Sequence, residues 1–276
     1  MLKTRILTSI VLIPGFLAAL FLLPDFYWSL LMLLLIGIGL WEWAVMSRFS
    51  HWGKIAYVSS AMLAGVAVIA GVGSENILYL QEYTIFWGIL AAAVFWLLLA
   101  PLWLTTRFNL RNVYLLAVAG WFVILPAWLA LVSLRRIDPI LLLAIMAAVW
   151  IADTAAYFFG KRYGKHKLAP AISPGKTWEG VLGAWFAVTL YGAALTFAFN
   201  LDPWLIIALW GITVLSIIGD LLESLVKRQS EVKDSGTLLP GHGGVLDRID
   251  GLTSSLPLAA FFIYFPLYYD VLMGYV

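Results

Sequence analysis

The sequence predicts an all-α, polytopic membrane protein with about nine transmembrane helices. Of its 276 residues, 63% are hydrophobic and 12% charged, and the mean hydropathy is +0.96, a balance far from that of water-soluble domains. Apolar runs long enough to cross a hydrocarbon core of about 30 Å recur along the chain. The short alternating strands of a membrane barrel are absent from the pattern. Lipid offers no partner to backbone N–H and C=O groups, so runs of this length have to be helices.

The spans follow in order. Residues 6–23 come after Lys3 and Arg5, as a secretory signal would, but the run exceeds a signal core and no small-x-small cleavage site closes it, so it reads as a retained helix. Residues 26–46, 55–73, 84–104 and 113–133 complete a first half that has few polar groups inside its spans. Pro14, Pro101 and Pro126 mark sites where helices can kink while neighbouring helices satisfy the freed backbone groups. Glu42, between Trp41 and Trp43, is the main exception in that half and reads as a carboxyl near the membrane interface. Residues 139–159, 178–199, 203–226 and 252–273 form the second half, interrupted by two polar segments, Gly160–Thr177 and Lys227–Gly251. The expectation is one membrane domain, 1–276, with 1–136 mainly scaffold and 137–276 the catalytic half, whose loops are 160–177 and 227–251. No internal repeat or low-complexity linker divides it.

Charge orients the spans. With the N-terminus in the cytoplasm, all but Arg135 and Arg136 of the 17 lysines and arginines fall on that side, and Asp25, Glu75, Glu82, Asp138 and Asp202 fall opposite. This bias predicts an N-in, C-out topology in the cell (inner) membrane, with both polar loops in the cytoplasm, where nucleotides are found. The chain has no cysteine, which excludes disulfides and thiolate metal sites and leaves oxygen or imidazole ligands for hard cations.

The segment Ser224–Asp250 concentrates Lys227, Arg228, Lys233, His242 and Arg248 among Glu231, Asp234, Asp247 and Asp250. Asp220, Glu223, Ser224 and Lys227 are spaced to share one face of a helix, a polar stripe too costly to turn toward lipid. Pro240-Gly241-His242-Gly243-Gly244 follows, and glycines let backbone amides approach and cradle an anion. Asp247 and Asp250, three apart, either cap a helix start or, with Asp220, supply oxygens to a divalent ion such as Mg²⁺. The interleaved cations would neutralise phosphate charge, which describes a nucleoside triphosphate site. Ser173-Pro174-Gly175-Lys176-Thr177 contains Gly-Lys-Thr but is no P-loop, because Pro170 replaces the required first glycine and no strand is expected before it. Lys176 either contacts a phosphate or belongs, with Glu179, to an ordinary helix start. His51 and His166 read as interfacial residues.

Ser224-x-Val226-Lys227-Arg228, then Lys233-Asp234-x-Gly236, then Leu239-Pro240-x-His242-Gly243-Gly244-Val245-x-Asp247-Arg248-Ile249-Asp250 resembles the signature of the phosphatidate cytidylyltransferases, or CDP-diacylglycerol synthases. Ser173–Gly180 is similar to a second segment of that family, with Gly175 where many members have a lysine, and Asp153, Tyr157 and Gly160 resemble a third. The resemblance implies transfer of a cytidylyl group from CTP to phosphatidate, giving CDP-diacylglycerol and pyrophosphate, with Mg²⁺ and K⁺ as a candidate second ion. Since the lipid's acyl chains stay in the membrane while CTP arrives from water, it also implies a polar cavity open to the cytoplasm and the bilayer. It places metal binding on Asp220 and Asp247 with Asp250 close by, and implies a homodimer with CTP, phosphatidate and membrane lipid as partners and no nucleic acid. On this reading Asp220, Asp247, Lys227 and Arg248 are catalytic, and Ser173, Lys176, Ser224, Arg228, Lys233, His242, Gly243 and Gly244 bind substrate. Alternatives are a CTP-dependent enzyme with another lipid acceptor, such as a polyprenol or phytol kinase or a CDP-archaeol synthase, and a secondary transporter. The Asp-Gly-x-x-Ala-Arg pattern of CDP-alcohol phosphotransferases is absent, since Asp250-Gly251 continues as Leu252-Thr253-Ser254-Ser255.

Overall fold

A computed structural model describes residues 2–70, 75–238 and 243–272. Helices α1 (Leu2–Leu22), α2 (Asp25–Met46), α3 (His51–Ala70) and α4 (Glu75–Val94) come first, and a π-helical turn at Phe95–Leu99 leads directly into α5 (Ala100–Thr106). Then follow α6 (Val113–Ile137), α7 (Pro139–Tyr163), α8 (Trp178–Phe199), α9 (Trp204–Gln229) and α10 (Leu246–Leu272). Seven helical stretches among the described residues are long and apolar enough to cross a membrane: α2, α3, Thr84–Thr106, α6, α7, α8 and α9. The protein is therefore all-α and polytopic in its architecture. Pro14 and Pro126 lie inside α1 and α6 without ending them. At Pro101 the widened π turn just ahead accommodates the missing N–H and the clash with the carbonyl four residues back.

One element departs from the expectation. Lys167–Ala169 (β1) and Ser173–Thr177 (β2) pair antiparallel, Lys167 opposite Thr177 and Ala169 opposite Ser173, with an irregularity between. The argument against strands holds for backbone exposed to lipid, but this hairpin lies in a polar segment beyond the helix ends, where unpaired edges can meet water. Gly175-Lys176-Thr177 is itself strand, so it cannot form a phosphate-wrapping turn ahead of a helix.

The core is built on α2, α6 and α10, with Trp28, Trp43, Ile124, Leu134, Leu142 and Leu256 buried within it. Buried indoles need an acceptor, and here Trp43 Nε1 donates to Leu116 O (2.8 Å) and Trp128 Nε1 to Ser29 O (3.0 Å), locking α2 to α6. Helices α9 and α10 cross closely because Gly219 has no side chain to strike the Asp250 carbonyl and Ser254. Ser254 Oγ donates across this crossing to Leu215 O (2.7 Å). The crossing brings the polar stripe of α9 beside the first turn of α10.

At one end of the bundle the basic connections gather. Gln229 Nε2 donates to Phe108 O (2.9 Å), Arg228 Nε to Ile172 O (3.3 Å), and Arg48 lies 3.7 Å from Glu231. At the other end, Arg135 is buried, donating from Nε to Leu20 O (2.8 Å), pairing with Asp25 (2.5 Å) and donating to Leu23 O. It caps the carbonyls that close α1 and the turn into α2. That explains a basic residue at the end the charge bias leaves acidic: Arg135 is a structural part of that corner.

Candidate active site

The α9 stripe forms as the spacing requires. Asp220 Oδ1 accepts from Ser224 Oγ (3.3 Å), and Asp220 Oδ2 pairs with Lys176 Nζ of β2 (2.6 Å). One turn or two further along, Lys227 Nζ sits 2.6 Å from Glu223 Oε2 and 2.7 Å from Asp247 Oδ1 at the start of α10. The side chains of Glu223, Asp247 and Lys227 are 4%, 7% and 13% exposed, so removing one partner would strand a charge in a poorly hydrated place. Asp247 Oδ2 also accepts the amides of Gly244 (2.8 Å) and Ser235 (3.0 Å).

Two more acids complete the cluster. Asp250 lies within electrostatic reach of Asp220, Glu223 and Asp153, and Asp153 of α7 within reach of Asp220 and Lys176. Glu223 stands between Asp220 and Asp247, feeling both. Helices α7, α9 and α10 thus bring together the acids expected to converge.

Among the described residues no group of three or more acids or histidines is arranged as a metal site; Lys176 and Lys227 stand between the carboxyls. The donor chemistry nevertheless fits an oxygen-bound cation. Of the five carboxyls Asp153, Asp220, Glu223, Asp247 and Asp250, Asp220 pairs with Lys176 and both Glu223 and Asp247 with Lys227; Arg248 lines the same cavity as Asp153, Asp247 and Asp250, and Glu223 Oε1 is buried without a hydrogen-bond partner. All-oxygen ligands of this kind suit Mg²⁺, which retains waters and takes further oxygens from a substrate.

A cavity of about 570 Å³ opens beside the cluster. Leu12 and Phe16 of α1, Ile36 of α2, Leu131 of α6 and Trp150 of α7 make its apolar wall, and Asp153, Asp247, Arg248 and Asp250 its polar end. Such a space suits an amphiphile whose charged head lies at the acids and cations.

The remaining expected residues are placed as follows. Ser173 is half-buried on β2, opposite Ala169. Arg228 turns to the hairpin carbonyl of Ile172. Lys233 is exposed on its loop and makes no ion pair with a described residue. Gly243 has φ +84°, a conformation that favours glycine, and the Gly244 amide is taken by Asp247 rather than left for a ligand. His242 lies outside the described residues.

The sequence placed Glu42 near an interface but did not show its contacts. It lies in the last turns of α2, is 5% exposed, and accepts the amides of Val245 (2.9 Å) and Leu246 (2.8 Å) and the Ser235 hydroxyl (3.0 Å). Its signal was present, since an acid inside an apolar span is a functional candidate by default. Glu179 was half seen. Thr177 caps α8 by accepting from Gly180 N (3.1 Å), while Glu179 accepts the amides of Lys165 (3.1 Å) and His166 (3.2 Å) and pairs with His166 Nδ1 (2.6 Å), fixing the hairpin to α8.

The apolar bundle, with an ionisable cluster at one end of it, defines a multi-pass membrane protein. The chain belongs to the cytidylyltransferase family, whose model matches residues 3–266. It is 40% identical over 278 residues to the phosphatidate cytidylyltransferase of Pseudomonas aeruginosa, covering 94% of this chain and 96% of that one. To the phosphatidate cytidylyltransferase of Haemophilus influenzae it is 36% identical over 292 residues, covering 97% and 100%. That of Staphylococcus aureus strain N315 is 49% identical over 116 residues, covering 40% of this chain and 44% of its own.

Proposed function

We infer that the protein is a phosphatidate cytidylyltransferase, converting CTP and phosphatidate to CDP-diacylglycerol and pyrophosphate in phospholipid biosynthesis. The observation that carries the reading is the cluster of acids and cations placed at the polar end of an apolar cavity, in a chain that belongs to this family. A phosphate oxygen of the lipid attacks the α-phosphorus of CTP; the bond from that phosphorus to the bridging oxygen breaks, and pyrophosphate leaves. The attacking oxygen is already anionic, so no general base is needed, and the barrier lies in bringing like charges together.

The protein's own residues answer that barrier. Lys176, Lys227 and Arg248 supply positive charge where the phosphates meet, and Asp220 holds Lys176, and Glu223 and Asp247 hold Lys227, in place before substrate arrives. Asp220 and Asp247, with Asp250 close by, would hold Mg²⁺, which supplies positive charge to phosphate oxygens and stabilises the departing pyrophosphate when bound. K⁺ is the candidate second ion. Arg228, Lys233, Ser173, Ser224, His242, Gly243 and Gly244 belong to the substrate surround on this reading. The apolar wall receives the upper acyl chains while CTP enters from water.

The same reading gives nine spans, N-in and C-out in the cell (inner) membrane, with the site on the cytoplasmic side, a scaffold half at 1–136 and a catalytic half at 137–276. The gathering of the basic connections at the site's end supports this orientation. A homodimer follows from the family resemblance, and a single-chain mass in mild detergent would overturn it. The deciding experiment incubates purified protein with CTP, Mg²⁺ and phosphatidate beside a panel of lipid alcohols. Formation of CDP-diacylglycerol and pyrophosphate is the expected result; labelled CTP left intact with phosphatidate, or consumed only with an alcohol, would refute the assignment.

A further inference from the structure

Glu42 belongs to α2, in the half of the chain that contributes no acid to the cluster around Asp220, yet it holds the segment that presents Asp247. Its Oε1 accepts from Val245 N (2.9 Å), and its Oε2 from Leu246 N (2.8 Å) and Ser235 Oγ (3.0 Å). Ser235 then donates its own amide to Asp247 Oδ2 (3.0 Å), and Asp247 N returns a bond to Ser235 Oγ (3.3 Å). No ion pair to a described residue neutralises Glu42; amides at the start of α10, where the helix dipole favours negative charge, do so instead. Room for the carboxyl depends on two glycines, because a Cβ at Gly236 or Gly244 would collide with it. These glycines therefore serve a protein carboxylate held at the helix start.

We propose that Glu42 is a positioning residue for the reaction, setting the Asp247 carboxylate through Ser235 and the first turn of α10. The inference rests on the proposed function. A neutral amide at position 42 would offer one acceptor and present donors to N–H groups, so the Val245–Asp247 turn would lose its fixed seat. Hydrogen bonds to a charged group contribute about 1.5–3 kcal/mol, corresponding to roughly 10- to 100-fold.

The test compares wild type, Glu42→Gln, Glu42→Asp and Ser235→Ala in detergent. Glu42→Gln is expected to lower kcat, counted per folded molecule, by about 10- to 100-fold with KM for CTP within about twofold; counting folded molecules separates this from general destabilisation, which lowers apparent kcat by shrinking the active fraction. Hydrogen exchange at Val245 and Leu246 should accelerate while the α2–α6 core stays protected. Glu42→Asp, which keeps the charge but shortens the reach, should recover part of kcat. Should Glu42→Gln fail to fold, Ser235→Ala carries the decision, because it cuts the link and leaves Glu42 with both amides; a roughly tenfold lower kcat is expected. Unchanged kcat in Glu42→Gln, or in Ser235→Ala where Glu42→Gln does not fold, overturns the inference while leaving the enzyme's activity intact. Wild-type protein that makes no CDP-diacylglycerol would instead refute the functional reading on which it stands.

Discussion

Lys176 of the β-hairpin and Asp220 of α9 form an ion pair of 2.6 Å that ties a loop outside the bundle to an acid of the cluster. Their side chains are 23% and 32% exposed, so water and substrate can compete for both. An arriving phosphate would take the ammonium from Asp220 and free that carboxylate for a cation. Lys176→Ala is accordingly expected to lower kcat/KM for CTP by about 100-fold, with Lys176→Arg recovering a part, since a guanidinium keeps the charge but changes its geometry. Steady-state rates over a range of CTP concentrations measure this, and a loss confined to the phosphatidate KM would place Lys176 on the lipid instead.

Asp220→Asn and Asp247→Asn should each reduce turnover to below roughly 1% of wild type, the scale expected when a charge acting in the transition state is removed. Their effects on stability should differ. Asp220 is partly exposed, whereas Asp247 meets Lys227 and two amides in a nearly dry setting. Asp247→Asn should therefore cost about 1–3 kcal/mol and Asp220→Asn less than about 1 kcal/mol. Thermal unfolding followed by tryptophan fluorescence separates the two. Near-normal CDP-diacylglycerol formation by either variant would remove that residue from the reaction.

Seven of the nine expected spans were legible because composition and run length alone dictate helices in lipid, and the α9 stripe was legible because Asp220, Glu223, Ser224 and Lys227 lie close in sequence. The hairpin was not. Three- and five-residue strands such as β1 and β2 bury little and carry no long period, and their pairing is fixed by Glu179 and Thr177 at the start of α8. Glu42 was visible as an oddity but not as a clamp, since its partners Ser235, Val245 and Leu246 meet it only after α2 and α10 pack. The use of the glycines was likewise hidden: a Gly-rich stretch announces close approach without saying whether a ligand or a side chain is approached.

Chelation should abolish activity reversibly. The cluster contains only oxygen ligands, and Mg²⁺ should restore turnover of EDTA-treated protein. Such ligands bind Mg²⁺ loosely enough for dialysis against a chelator to remove it, and the fold should survive, because Lys176 and Lys227 pair with the acids without metal. Full turnover in excess EDTA would eliminate the metal role of Asp220 and Asp247.

Arg135 separates fold from chemistry. It is buried at the opposite end of the bundle from the cluster, donating to Leu20 O and Leu23 O and pairing with Asp25. Arg135→Met keeps much of the side-chain volume but leaves the closing carbonyls of α1 without their donor. Loss of two such bonds should destabilise the protein by about 2–4 kcal/mol. Asp25, at 59% exposed, can turn to water and adds little to that cost. Because α1 also supplies Leu12 and Phe16 to the cavity wall, partial detachment of this helix should raise the KM for phosphatidate more than that for CTP. Unfolding temperature and the two KM values, measured on the same preparation, check both effects; an unchanged melting temperature would show that the α1 corner is held by packing alone.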